Sequence, residues 1–346
     1  MPIKDTAKYI LGILLAAALM TWVLRDTDPK VLWQQLRAAS VPLLLLGASL
    51  NIAHNLFRVL RWRVLLAPTK AGLPLRGLLV AVMIGYMTSW VVPGRLGELV
   101  RPMLVSARQG VELGPAVGSV VADRLLDIVS VALLFGLGIW ITPLSGAAAE
   151  HAAALRAGAV LLSIAGVALL AVMIAVAIAG PRLEGWVSRR HRWIRWFGRV
   201  ALSTARGAIA LRKPSALLLS VFYGLIAWLF IAAGTFACVV GSGAEITPGV
   251  ILVVMPMLVL GVAVPTPGGA GSYHGAMRAG LMLFGVSQVT AVTAGLLTHV
   301  MITVPVIIVG MILLWTDNVK WSDLLNGARQ LRHLGGDAER TAEGVS

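Results

Sequence analysis

The chain has 346 residues, 58% of them hydrophobic and only 13% charged, and it carries a formal net charge of +14. A soluble protein of this length carries about a quarter charged residues, so the composition excludes an ordinary soluble fold and points to a membrane protein with several spans. Nucleic acid is not the expected partner of the positive charge: most Arg and Lys residues lie between apolar runs, where the positive-inside rule accounts for them.

In chain order, the first apolar run covers about 7–24 and follows Lys4 and Lys8, the layout of a signal peptide. Its length and the Arg25 after it favour a retained first helix. Further runs follow at about 41–57 and 73–92, separated by Arg58, Arg61, Arg63, Lys70 and Arg76. Pro93 and Gly94 then break the pattern, and a short charged helix is predicted over 95–107. Long runs return at 114–140, 155–180 and 214–240. A weaker pair, 249–264 and 272–285, is interrupted by the sequence PTPGGAGSYHG, and a last run covers 287–315. Cys238 sits inside an apolar run and, as the single cysteine, forms no internal disulfide.

Charge then orients the runs. The connections 58–76 and 181–213 and the C-terminus are rich in Lys and Arg, whereas 141–154 and 241–248 contain neither. With basic connections cytoplasmic, one solution balances the number of crossings between them: each Pro/Gly break is the tip of a re-entrant hairpin. The expected fold is therefore all-α: a polytopic helix bundle with two re-entrant helical hairpins, 77–107 and 249–285, and six full crossings. Both halves read span, span, hairpin, span, in opposite orientation, which defines an inverted-topology repeat. Residues 1–140 form the first repeat and 141–320 the second; 321–346 form a polar cytoplasmic tail, partly disordered. A plain eight-helix bundle with proline kinks is the alternative. The loop 25–40 would lie outside, against the charge rule. Within the second repeat, 182–212 interleaves Trp186, Trp193 and Trp196 with arginines, as in an amphipathic helix at the cytoplasmic surface; a simple basic connector is the other reading.

Only Glu98, Asp123 and Asp127 place acids inside predicted membrane segments. Such residues usually face inward and are paired. Arg95, Glu98 and Arg101 are three apart, and Asp123 and Asp127 four apart with Arg124 beside them, so the spacing predicts cross-pairing of Arg95 or Arg101 with Asp123 or Asp127, and of Arg124 with Glu98. Stapling of a hairpin to its neighbour, or a proton relay, would use the same residues. Helices starting at the two breaks would aim unpaired N–H groups at a shared space, with Gly268, Gly269 and Gly271 permitting close backbone approach, Ser272 capping, and Tyr273, His274 and Arg278 nearby. That combination suits a phosphate. No HExxH, Cys/His cluster, Walker A or GxGxxG pattern occurs, so neither metal, nucleotide nor other cofactor is expected.

The stretches RVLRWRVLL, PGRLGELVRPMLV, ADRLLD and PTPGGAGSYHGAM, in that order, resemble the lysylphosphatidylglycerol synthase transmembrane-region family of flippase-like membrane proteins, over about 5–320. The resemblance implies lipid movement between leaflets: members include the flippase half of enzymes that make aminoacylated phosphatidylglycerol, and others are linked to polyprenol-phosphate sugars or hopanoids. By position it marks Arg61, Pro93, Gly94, Arg95, Gly97, Glu98, Arg101, Asp123, Arg124, Asp127, Pro265, Pro267, Gly268, Gly269 and Gly271. Many members have an acid after the second glycine run, where this chain has Ser272, Tyr273 and His274. The roughly thirty residues after the last span leave no room for an aminoacyl-transferase domain, so synthase activity is not expected. The expectation is a bacterial inner-membrane protein, both termini cytoplasmic, that moves a phospholipid or polyprenyl-phosphate-linked sugar. Membrane lipids, anionic or phosphate-bearing, are its expected partners, together with a second copy or a lipid-synthesis enzyme. Proton-coupled transport of a small anion, or a non-transporting scaffold for envelope-lipid synthesis, are the alternatives.

Overall fold

In a computed structural model, residues 3–91, 97–144, 147–188, 207, 209–264 and 266–319 are described. Among them the protein is all-helical: α1 (Ile3–Leu24), α2 (Pro29–Ala38), α3 (Val41–Leu66), α4 (Leu75–Val91), α5 (Gly97–Gln109), α6 (Leu113–Ile141), α7 (Ala147–Glu150), α8 (Ala152–Ser188), α9 (Pro214–Gly241), α10 (Pro248–Ala263), α11 (Ser272–Met282) and α12 (Gln288–Thr316). The starts follow local chemistry. Proline occupies the first turn of α2, α3, α9 and α10, where its missing N–H has no intrahelical partner to lose. Asp28 caps α2 by accepting from Lys30 N–H at 2.8 Å, and Ser287 caps α12 by accepting from Thr290 N–H at 3.2 Å.

Five helices, α3, α6, α8, α9 and α12, are long and apolar enough to cross a bilayer. Of the expected sixth crossing, the described side chains give the shorter apolar stretch Leu11–Leu24 of the 22-residue α1. The helices α4 and α10, with 17 and 16 residues, are shorter. Large apolar side chains point outward, such as Leu45, Leu161, Ile164, Leu218, Leu260 and Ile312, while arginines and aspartates lie inside. Water would penalise that distribution and lipid favours it.

The core has two parts. The first is built from Val59, Trp62, Leu65, Leu78, Leu104 and Leu126 of α3–α6. The second gathers Trp228, Ile251, Met255, Met277, Leu281 and Ala291 of α9–α12, and Val131 and Leu134 let α6 contribute to it as well. The longest packed seam joins α3 to α9, which run antiparallel; Ser40 N–H donates to Gly241 carbonyl at 2.7 Å at one end. Glycines set the closest approaches. A side chain at Gly97 would overlap the Gly85 carbonyl, so α5 starts hard against α4. A Cβ at Gly261 would fall 2.8 Å from the Ser272 carbonyl, so α11 meets α10 in the same manner.

The structure corrects the sequence reading in several places. The second apolar run does not stop at 57: α3 continues to Leu66 and carries Arg58, Arg61 and Arg63 within it. Buried partners elsewhere hold the first two, so the basic connection shrinks to the end of α3, Lys70 and Arg76. The expected loop 25–40 contains the amphipathic α2, pinned to α12 through Gln35, which donates to Thr290 Oγ1 (3.3 Å) and accepts from Thr293 (3.1 Å). The expected surface segment 182–212 begins as a continuation of α8, through Ser188; its centre lies outside the described residues, as does the tail 321–346.

Candidate functional site

Four arginines and three acids converge from α3, α5 and α6. Arg58 reaches Asp127 at 2.8 Å; Arg61 bridges Asp123 and Asp127, each at 2.7 Å. Arg101 pairs with Asp123 at 3.3 Å and lies 3.7 Å from Glu98. Arg124 pairs with Asp127 at 2.9 Å and Glu98 at 3.2 Å. The predicted pairs Arg101–Asp123 and Arg124–Glu98 are both present.

Neighbouring helices supply aromatic walls. Tyr86 of α4 accepts from Arg58 (3.1 Å) and Arg124 (2.8 Å), and Trp228 of α9 donates to Asp127 at 2.9 Å. The Arg101 guanidinium stands 4.7 Å from the Trp62 ring and 5.4 Å from that of Tyr86. Such contacts favour cations in dry surroundings.

Two properties of the cluster bear on its chemistry. First, four guanidiniums face three carboxylates, so one positive charge is in surplus among the described residues. Taking an ion out of water costs several kcal/mol, and pairing repays it only when charges balance and hydrogen bonds are complete. Here they are not: Arg58 Nε, Arg61 Nη1 and Arg101 Nε are buried with no hydrogen-bond partner. Second, the cluster has one open edge. Arg61, Arg101 and Asp123 side chains are fully buried, whereas Arg124 and Glu98 are 34% and 32% exposed. Excess donors and an open edge are the features that anion binding requires.

A second constellation surrounds the other break. Gly268, Gly269 and Gly271 have φ of 59°, 68° and 79°, the left-handed region where other residues are strained. Ser272 hydrogen-bonds with Thr266 Oγ1 at 2.9 Å and donates to the Gly269 carbonyl at 3.2 Å. It is therefore not the cap: Gly271 occupies that position, and its N–H donates to His274 Nδ1 at 3.2 Å. His299 Nε2 donates to the Gly268 carbonyl at 2.8 Å, Tyr273 stacks on His299 at 5.3 Å, and the buried Tyr273 hydroxyl has no partner. Trp90, in the last turn of α4, meets His299 edge-on at 5.7 Å, and its carbonyl would lie 3.4 Å from a Cβ at Gly268. The second break thus packs against the helix end that leads into the first.

Of the predicted site residues, Arg61, Glu98, Arg101, Asp123, Arg124 and Asp127 come together in the first constellation. Gly268, Gly269, Gly271, Tyr273 and His274 belong to the second. Gly94 and Arg95 lie outside the described residues. Arg278 belongs to neither: it donates to the Trp22 (2.9 Å) and Val23 (3.2 Å) carbonyls and approaches Asp26 at 3.8 Å, because the open C-terminal carbonyls of α1 attract a cation. Arg58, Tyr86 and Trp228 were missed. Arg58 had a signal: with Asn51, Asn55 and Arg61 it keeps helical spacing along one face.

The fold and its buried charges define a multi-span helical membrane protein, of a kind that fits a membrane transporter or flippase. A family model described as "Lysylphosphatidylglycerol synthase TM region" matches residues 9–310, and the chain belongs to that family. No curated protein matches it.

Proposed function

We propose that the protein moves a phosphate-bearing lipid, a phospholipid or a polyprenyl-phosphate-linked sugar, between the leaflets of a bacterial inner membrane. The single supporting observation is the surplus guanidinium charge, with three orphan N–H groups, in a cluster that is open at one edge. A lipid phosphate entering at Arg124 and Glu98 supplies the missing negative charge and accepts from arginine in charge-assisted bonds. Leu99 and Ile128, 43% and 50% exposed and on the same two helices as that edge, offer apolar surface for acyl chains to remain in lipid. Two re-entrant hairpins in inverted repeats, α4–α5 and α10–α11, would let the site face each side in turn, with both termini cytoplasmic. Transport, not catalysis, is the proposed activity, with lipids as partners and a second copy or a lipid-synthesis enzyme as protein partner.

The test is reconstitution into vesicles containing phosphatidylglycerol labelled on an acyl chain, with leaflet exchange followed by quenching of the outer label. Arg124→Gln, at the solvent edge, should slow exchange about tenfold or more, the equivalent of one charge-assisted hydrogen bond. Unchanged exchange in Arg124→Gln and Asp123→Asn overturns the site. Movement of entrapped inorganic phosphate without lipid exchange would instead establish a small-anion transporter.

A further inference from the structure

One face of α3 carries buried polar groups beyond those of the ion pairs. Asn51, His54, Asn55 and Arg58 recur at positions i, i+3, i+4 and i+7, one face of a helix, and Arg61 continues the line. All are buried; Asn51 and Asn55 are 1% exposed. The Asn51 amide donates to the Gly47 carbonyl at 2.9 Å and that of Asn55 to the Ile52 carbonyl at 3.1 Å, so each amide donates within its own helix. Their acceptors are left over: Asn51 Oδ1 and Asn55 Oδ1 have no partner. The stripe therefore offers orphan acceptors at one end and, at Arg58 Nε and Arg61 Nη1, orphan donors at the other. Each buried orphan costs about 1–3 kcal/mol, so a row of them is not built for stability. At 1.5 Å per residue the stripe from Asn51 to Arg61 runs about 15 Å, half the hydrocarbon thickness.

The α9 helix packs along this stripe and presents glycine opposite the two ends of the stripe. Gly224 faces Arg61 and Ser130; Gly234 faces Asn51 and the Gly47 carbonyl. At Gly224 the Arg61 and Ser130 side chains rest on bare backbone, and at Gly234 the two helix backbones come together beside the Asn51 amide.

We propose that the α3 stripe is the path of the substrate headgroup, and that it selects a phosphodiester whose headgroup carries hydroxyls. This rests on the lipid-moving reading above. The guanidiniums take the phosphate; the asparagine oxygens accept from hydroxyl hydrogens as the seam opens. An ammonium headgroup would also donate, but guanidiniums outnumber carboxylates here and repel it.

Two labelled lipids separate these features: phosphatidylglycerol, and phosphatidylmethanol, which has the same phosphodiester and charge but no hydroxyl. The native protein should exchange phosphatidylglycerol about tenfold faster, the worth of one or two hydrogen bonds. The double variant Asn51→Leu/Asn55→Leu should exchange both lipids at the slower rate. Its melting temperature should match or exceed that of the native protein, because replacing an orphaned polar group by an apolar one of similar shape is neutral or stabilising. Equal native rates for the two lipids, or a double variant that keeps the preference, overturns the proposal. Should the double variant fail to fold, Asn55→Cys in a Cys238→Ala background is treated in vesicles with a polar, uncharged methanethiosulfonate. Reaction at residue 55 supports a seam that opens to water, and no reaction overturns it. Equal rates spare the lipid-moving reading and remove only this inference; exchange of neither lipid removes both.

Discussion

The surroundings of the two helix breaks have opposite chemistry. Each joins a pair of packed helices, α4 with α5 and α10 with α11, and each relies on glycine for close approach. Beside the first lie four guanidiniums and three carboxylates; beside the second lie two imidazoles, a phenol and Trp90, with no formal charge among its hydrogen bonds. The proposed reading therefore assigns binding strength to the first region, where a charge is left over. The second holds its loop through short-range bonds to backbone, as the His299 bond to Gly268 and the His274 bond to Gly271 illustrate.

That comparison has consequences of graded size. The largest effect is expected at Asp127, which holds Arg58, Arg61 and Arg124 and accepts from Trp228. Asp127→Ala strands buried guanidiniums, and unfolding in detergent should show a loss of about 3–5 kcal/mol or failure to fold. Gly268→Ala at the second break should cost less, about 1–2 kcal/mol, the penalty of an L side chain in the left-handed region. Tyr273→Phe, which removes a hydroxyl that bonds to nothing, should leave the melting temperature unchanged or slightly higher. The smallest effect belongs to the exposed Arg25–Asp26 pair at 3.0 Å, where Arg25→Ala should alter stability by less than about 0.5 kcal/mol. A loss at Tyr273→Phe as large as that at Asp127→Ala would break the contrast between the regions.

Much of this was legible in the sequence because hydrophobic run length and Pro/Gly punctuation are strong signals in a membrane chain. The boundaries of α4, α6, α9 and α12 fall within a few residues of the apolar runs. The pairing of Arg101 with Asp123 and of Arg124 with Glu98 was legible too, since isolated charges in apolar segments have few partners to choose from. Arg58 and Arg61 were assigned to a connection because charge marks the end of a run; only the contact with α6 shows that α3 carries them inside. The charge rule also fails to anticipate α2, whose Lys30 and Arg37 follow an amphipathic pattern. Arg278 was misplaced because sequence gives its depth but not which neighbour it faces. His274 and His299, on separate helices, meet at 4.7 Å, a contact that no local spacing encodes.

The most direct measurement places the phosphate itself. Solid-state NMR on the protein in bilayers of phosphatidylglycerol, with arginine guanidinium nitrogens labelled, reads dipolar dephasing by the lipid phosphorus. Dephasing of an arginine signal that disappears in Arg124→Gln is the result predicted here; guanidinium nitrogens untouched by phosphorus in the native protein would contradict the account.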